Sequence, residues 1–217
     1  MIGWDSVNVE KLLRNVLPGS DGEHELQEAY STSARAEAFY RNQVLDYLNS
    51  HMQAFIRRQE MFFVGTADRH GEADVSFRAG VSGFVRLLEE KTLAYPEFRR
   101  NGVMASLGNI SENPHVGLLF LDFTGDKIGL HVNGRARIIE SREDEPSLLA
   151  SQSHELGLDA YDGTRPERWV VVSVVEAYIH CSKHIPRMQK IRSEIHWGTD
   201  DLTAKGGDYF KAKSSKR

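Results

Sequence analysis

The spacing of apolar residues changes at Met61, and this change limits the folds that the chain can adopt. Upstream, apolar residues from Ala36 to Leu48 recur three and four positions apart, which is the period of a helix with one buried face. Downstream, short apolar runs are separated by turn residues, which is typical of strands joined by hairpins. The pattern therefore predicts a helical N-terminal part followed by a β domain.

Two local features refine the prediction for the N-terminal part. Residues 20–33 are polar and predict a leader or loop. Ser50 followed by Gln53 predicts a capping box, and the apolar residues after Ser50 lie at the spacing of a second amphipathic helix. We therefore expect this helix to begin at Ser50.

The β part contains six or seven predicted strands. In the second of them, Val75 and Phe77 point to one side, whereas Asp74, Ser76 and Arg78 point to the other. The turn 68–71 joins the first two strands, and Pro114 ends a predicted helix over residues 102–113. The predicted strands cover residues 61–67, 73–79, 83–88, 92–95, 116–123, 128–139 and 169–179, and an exposed helix is predicted over 143–156.

Short hairpins and one mid-chain helix favour a closed or half-closed antiparallel barrel over a doubly wound sheet. The fold class predicted is mainly β with flanking helices. We divide the chain into a helical extension (1–58), a barrel domain (59–198) and a polar tail (199–217) that we expect to be flexible.

Composition excludes several functional classes. A net charge of −4 argues against a nucleic-acid-binding protein that relies on bulk electrostatics. No apolar stretch is long enough to span a bilayer, and the charged residues among positions 1–14 argue against a signal peptide. Cys181 is the single cysteine, so no intrachain disulfide can form. We expect a cytoplasmic protein.

One stretch suggests a phosphate site. Arg99, Arg100 and Asn101 precede the predicted mid-chain helix, whose free backbone N–H groups attract anions. Arg78 and Ser106 could reach the same place. Neither a P-loop nor a G-x-G-x-x-G turn occurs, which argues against those nucleotide folds. On composition alone, an exposed arginine pair beside an ordinary loop explains the stretch equally well.

Four segments resemble the pyridoxamine 5′-phosphate oxidase-like FMN-binding split barrels. They are residues 77–80, 92–96, 106–120 and 133–136, and their order and spacing agree with that family across residues 61–179. The resemblance implies a split antiparallel barrel that forms a homodimer, with FMN in the cleft between the subunits.

The resemblance also implies cofactor contacts at particular positions. It assigns the phosphate to Arg78 and to the segment with Arg99, Arg100, Asn101 and Ser106. The flavin ring would contact Ser76, Phe77 and Tyr95, Asn109 would lie near the ring or the sugar chain, and Lys183 and His184 would reach the cofactor from the partner subunit.

The resemblance does not identify a substrate. The oxidase has an Arg-Lys pair where this chain has Met104-Ala105, and its C-terminal substrate segment is not recognisable here. We predict an FMN-dependent oxidoreductase of unknown substrate that takes hydride from a reduced donor such as NADH or NADPH. The alternatives are a non-catalytic flavin-binding or sensing protein, or a protein of the same fold that uses haem or deazaflavin F420.

A metal site is not expected. His180, Cys181 and His184 lie close together in the sequence, but a zinc site usually needs four ligands at a recognisable spacing.

Overall fold

The computed structural model describes residues 17–98, 102–140, 166–191, 201 and 207–215. The chain divides into two compact units, residues 1–45 and 46–217. The predicted boundaries at residues 58 and 198 stay predictions. The predicted helix over 143–156 lies outside the described residues, as do Arg99, Arg100 and Asn101.

The first unit contains a helical pair, α1 (Asp21–Ala29) and α2 (Ser33–Gln43). The loop predicted over 20–33 is therefore wrong for most of its length. Ser20 and Glu23 form a reciprocal capping box that starts α1, a signal present in the sequence. The second helix ends at Gln43, earlier than the apolar spacing predicted, because Val44 adopts an extended backbone.

The helices of the second unit flank its strands. Helix α3 (Ser50–Arg58) is capped by Asn49, whose side chain accepts a hydrogen bond from the Met52 N–H at 2.9 Å. The predicted capping box at Ser50 is thus wrong by one residue. Helix α4 (Ala105–Glu112) lies mid-chain, within the predicted span 102–113. A 3₁₀ turn (Ser182–His184) and a short helix α5 (Ala212–Ser215) follow later.

Seven strands of the described chain form one antiparallel sheet in the order β2-β1-β5-β6-β7-β4-β3. Alternation of apolar and polar residues, with β-branched residues concentrated in β7, accounts for most of these strands. The predicted strands are confirmed, with shifts of a few residues at their ends. They are β1 (Met61–Ala67), β2 (Ala73–Ala79), β3 (Arg86–Glu89), β4 (Thr92–Glu97), β5 (His115–Leu121), β6 (Gly129–Glu140) and β7 (Arg168–His180).

The sheet curls until its two ends approach each other. Phe62 of β1 and Tyr95 of β4 are separated by three strands in the sheet order, yet their ring centroids lie 5.1 Å apart. Phe84, which precedes β3, stacks on Phe62 at 5.7 Å. A flat sheet would hold neighbouring strands about 4.8 Å apart and these rings much farther away. The gap between the edge strands β2 and β3 is the split, so the predicted split barrel is confirmed.

The inside of the barrel is a continuous apolar core. Side chains from β1, β5, β6, β7 and β4 fill it, and Ile110 of α4 belongs to the same cluster. Each large apolar side chain contributes about 1.5–3 kcal/mol when fully buried. Among the described helices, none is long and apolar enough to cross a membrane.

Candidate functional site

Strand β2 carries polar side chains on the face that turns into the barrel. Asp74, Ser76 and Arg78 pair in register with Thr66, Val64 and Phe62 of β1, whose side chains are buried. The predicted alternation is confirmed, and the polar side is the inner one. Such a face is stable only if other elements provide hydrogen-bonding partners.

Helix α4 provides the first partner. The Ser106 hydroxyl donates to the Ser76 hydroxyl at 2.9 Å, and the Ser76 hydroxyl donates to the Asp74 carboxylate at 2.9 Å. Ser106 is buried, whereas Ser76 and Asp74 are half-buried, so the chain of hydroxyls runs from the interior towards solvent.

The start of α4 lies beside the same place, because Ser106 is in its first turn. Met104, in the left-handed backbone region at φ 55°, precedes the helix and provides no side-chain cap. The N–H groups of a first helical turn have no partner within the helix and carry a partial positive charge. This end of α4 therefore offers donors that suit an anion.

Strand β4 provides the second partner. The Arg78 Nε donates to the Glu97 carboxylate at 2.6 Å, and its Nη1 donates to the Phe77 carbonyl at 3.2 Å. Both side chains of the ion pair are only 5% exposed. Because β2 and β4 lie near opposite ends of the sheet order, this buried pair bridges the split.

We call Asp74, Ser76, Arg78, Glu97 and Ser106 the β2–α4 corner. Of the predicted site residues, Ser76 and Ser106 are joined by a hydrogen bond, and Arg78 lies two positions after Ser76 on the same face of β2.

Asn109 lies one turn further along α4 and donates to the Thr66 hydroxyl at 3.1 Å. It therefore belongs to the same polar inner surface as the corner. The predicted contact between Asn109 and the cofactor stays a prediction.

The remaining predicted site residues lie elsewhere. Tyr95 is fully buried in the core, so contact with a flavin ring would require its side chain to move. Phe77 is on the outer face of β2, and Lys183 and His184 are exposed on the 3₁₀ turn after β7. Their predicted cofactor contacts stay predictions.

Sequence reasoning assigned neither carboxylate of the corner to the site. Asp74 could have been assigned, because the predicted alternation already placed it on the same face as Ser76. Glu97 could not, since its contact with Arg78 depends on how the whole sheet curls.

A second polar cluster lies on the outer face of β6 and β7. The ring nitrogens Nε2 of His131 and Nδ1 of His180 are 2.9 Å apart, and the His131 ring stacks on Tyr178 with centroids 4.7 Å apart. Burial lowers the pKa of His131, and the neighbouring His180 lowers it further, whereas Glu176 opposes the shift. In the described part of the chain, no cluster of three or more His, Cys, Asp or Glu residues could hold a metal.

Comparison with known families agrees with this architecture. The fold is a split antiparallel barrel with an inner polar corner beside its mid-chain helix. The pyridoxamine 5′-phosphate oxidase family model matches residues 48–181, which is well over half of the chain. The chain belongs to the pyridoxamine 5′-phosphate oxidase family. The family predicted from the four sequence segments is thus confirmed.

Solved structures with similar folds are distant in sequence. HupZ from Group A Streptococcus is 19% identical, with 61% of this chain and 93% of that chain covered at a TM-score of 0.45. An FMN-binding protein from Syntrophomonas wolfei is 15% identical over 69% and 96%, at 0.44. The haem storage protein HutZ from Vibrio cholerae is 12% identical over 61% and 94%, at 0.41. No curated protein sequence matches the chain significantly.

Proposed function

We propose that this protein binds FMN and acts as a flavin-dependent oxidoreductase. The observation that carries the proposal is the family match over residues 48–181, since this range contains every residue of the β2–α4 corner. Flavins accept and donate hydride or single electrons, and the protein's part is to bind and orient the ring and to tune its electronics.

The corner has the groups that a phosphomonoester needs. The Ser76 and Ser106 hydroxyls, the guanidinium of Arg78 and the N–H groups at the start of α4 are all hydrogen-bond donors by type. A charged phosphate held by such groups gains about 1.5–3 kcal/mol per hydrogen bond. We propose that these groups hold the phosphate of the cofactor.

Outside the corner, we propose roles for residues that approach from other elements. Lys183 and His184 are exposed and carry donors that could stabilise negative charge on a reduced flavin. We place them in the partner subunit of a homodimer. NADH or NADPH is the proposed electron donor.

The homodimer is supported by the outer face of β2. Val75 is 70% exposed and Phe77 is 45% exposed, and Phe77 lies against Phe63 of β1 with ring centroids 5.7 Å apart. Contiguous exposed apolar surface of this kind marks an interaction site. We propose that a second copy of the chain covers it, with the cofactor in the cleft between the two copies.

The visible spectrum of the purified protein, before and after addition of FMN, tests the cofactor. Flavin, deazaflavin F420 and haem have different absorption bands, so the spectrum also distinguishes the alternatives. Ser106→Ala should weaken FMN binding by about tenfold or more, because one hydrogen bond to a charged group is lost. The matched control is Ser111→Ala on the exposed end of the same helix, where the hydroxyl donates to the Gly108 carbonyl.

The enzymatic part of the proposal needs a separate measurement. Stopped-flow mixing of the FMN-loaded protein with NADH or NADPH should bleach the flavin absorption rapidly. Bound FMN that neither donor reduces would instead indicate a flavin-binding or sensing protein. A protein that binds no FMN, or that binds haem or F420 in its place, would contradict the proposed cofactor.

A further inference from the structure

The hydroxyl chain of the β2–α4 corner has a fixed direction. An ionised carboxylate only accepts hydrogen bonds, so the single hydroxyl proton of Ser76 is directed to Asp74. Ser76 can then only accept from Ser106, so the single proton of Ser106 is directed to Ser76. Without a ligand both hydroxyl protons are therefore engaged, and a phosphate can receive them only if the hydroxyls turn away from these partners.

This direction conflicts with the needs of a phosphate. A phosphomonoester dianion also presents only acceptors, so it must compete with Asp74 and Ser76 for the two hydroxyl protons. The carboxylate of Asp74, which accepts the hydrogen bond from Ser76, also adds a negative charge beside the hydroxyls. Arg78 compensates only partly, because Glu97 already occupies its Nε.

We infer that Asp74 is a specificity-determining residue of the corner, which disfavours a phosphate dianion by competing for the hydroxyl protons and by its own charge. The inference rests on the proposed function, because it concerns the phosphate of FMN at the same site. FMN is thereby bound more weakly than the donors of the corner would allow, and it can exchange with the solution.

The groups around Asp74 support this assignment. Thr66 lies opposite it on β1, Ser76 and Arg78 follow it on β2, and Ser106 approaches from α4. The one cation in this set, Arg78, is paired with Glu97. The carboxylate of Asp74 accepts a hydrogen bond from the Ser76 hydroxyl, and the cation of the set is engaged by Glu97.

The variant Asp74→Asn tests the inference in the full-length protein. An asparagine removes the charge, and its amide can donate to Ser76, which frees the Ser76 and Ser106 protons for a ligand. We expect FMN to bind about tenfold more tightly, the size of one repulsive contact between partly exposed charges, while the affinity for riboflavin changes less than about twofold. Fluorescence titration with FMN and with riboflavin measures both.

Two further variants distinguish an effect of the hydroxyl chain on FMN affinity from an effect of overall charge. Glu72→Gln removes one negative charge from an exposed position in the same hairpin and should leave the ratio of FMN to riboflavin affinity unchanged. In a Ser76→Ala background, which breaks the chain, Asp74→Asn should tighten FMN binding by clearly less than in the wild type.

The outcomes distinguish this inference from the proposed function. Equal changes for FMN and riboflavin, or weaker FMN binding in Asp74→Asn, would overturn the inference while leaving FMN binding intact. If neither protein binds a flavin, the proposed function fails, and inorganic phosphate becomes the probe. A larger thermal stabilisation by phosphate in Asp74→Asn than in the wild type would then support the role of Asp74, and no difference would overturn it.

Discussion

In a small barrel the inner face of a strand is usually apolar and the outer face polar, but the two faces of strand β2 show the reverse. On the inner face, Ser76 and Arg78 are polar and at least half-buried; on the outer face, Val75 and Phe77 are apolar and exposed. The inner face is stable because α4 and β4 satisfy its polar groups. The outer face leaves both apolar side chains exposed, and we propose that a second copy of the chain covers them.

Breaking the ion pair between Arg78 on the inner face of β2 and Glu97 of β4 should have the largest effect on stability. Glu97→Ala leaves the Arg78 guanidinium buried without its carboxylate, and such a loss destabilises a protein by about 3–5 kcal/mol. Urea unfolding measures the change. The control is Lys190→Ala, which removes an exposed ion pair with Glu60 and should cost less than about 1 kcal/mol. Equal losses in the two variants would mean that the buried pair does not hold the split together.

Changing the outer face should affect assembly and leave folding nearly unchanged. Replacing Val75 and Phe77 together by Asp puts two charges on the surface proposed for the dimer. Light scattering should then give the monomer mass, while the free energy of unfolding of the monomer shifts by less than about 1 kcal/mol, as is usual for exposed sites. The control is Val81→Asp, an apolar side chain exposed to a similar degree outside this strand. A wild-type protein that is already monomeric would contradict the proposed dimer.

The contrast between the two faces of β2 also shows which features of the fold the sequence could predict. Strands were predictable because alternation is local and β2 shows it over seven residues. Helix α1 was missed because it is polar and none of its residues is buried. Ser20 and Glu23 nevertheless carry a capping-box signal in the sequence. The contact of Arg78 with Glu97 joins residues 19 positions apart and depends on the curl of the sheet, so no local pattern predicts it.

The candidate site was predictable in part for the same reason. Ser76 and Arg78 were assigned to one face by alternation, and Ser106 was placed near them by its position at the start of α4. The exposure of Phe77 and the burial of Tyr95 were not predictable, since both depend on which face of the sheet turns inward.

The smallest expected effect concerns the outer face of β6 and β7, where His131 lies against His180. Burial first, and then His180, lower the pKa of His131 in the folded state below its value in the unfolded chain, with Glu176 opposing the shift. The unfolded chain therefore binds more protons as the pH falls towards the ordinary histidine range, so stability decreases as the pH falls and is recovered at higher pH. Urea midpoints between about pH 5 and pH 8 measure this slope.

His131→Asn should reduce that slope, because the residue whose pKa is lowered is gone. Ser111→Ala is the control, since Ser111 is exposed on α4 and has no group that titrates in this pH range, so the slope should stay as in the wild type. An unchanged slope in His131→Asn would mean that the imidazole pair does not couple folding to pH. If the slope instead changes only in the dimer, the outer face of β6 and β7 belongs to the subunit contact, which would extend the surface now assigned to β2.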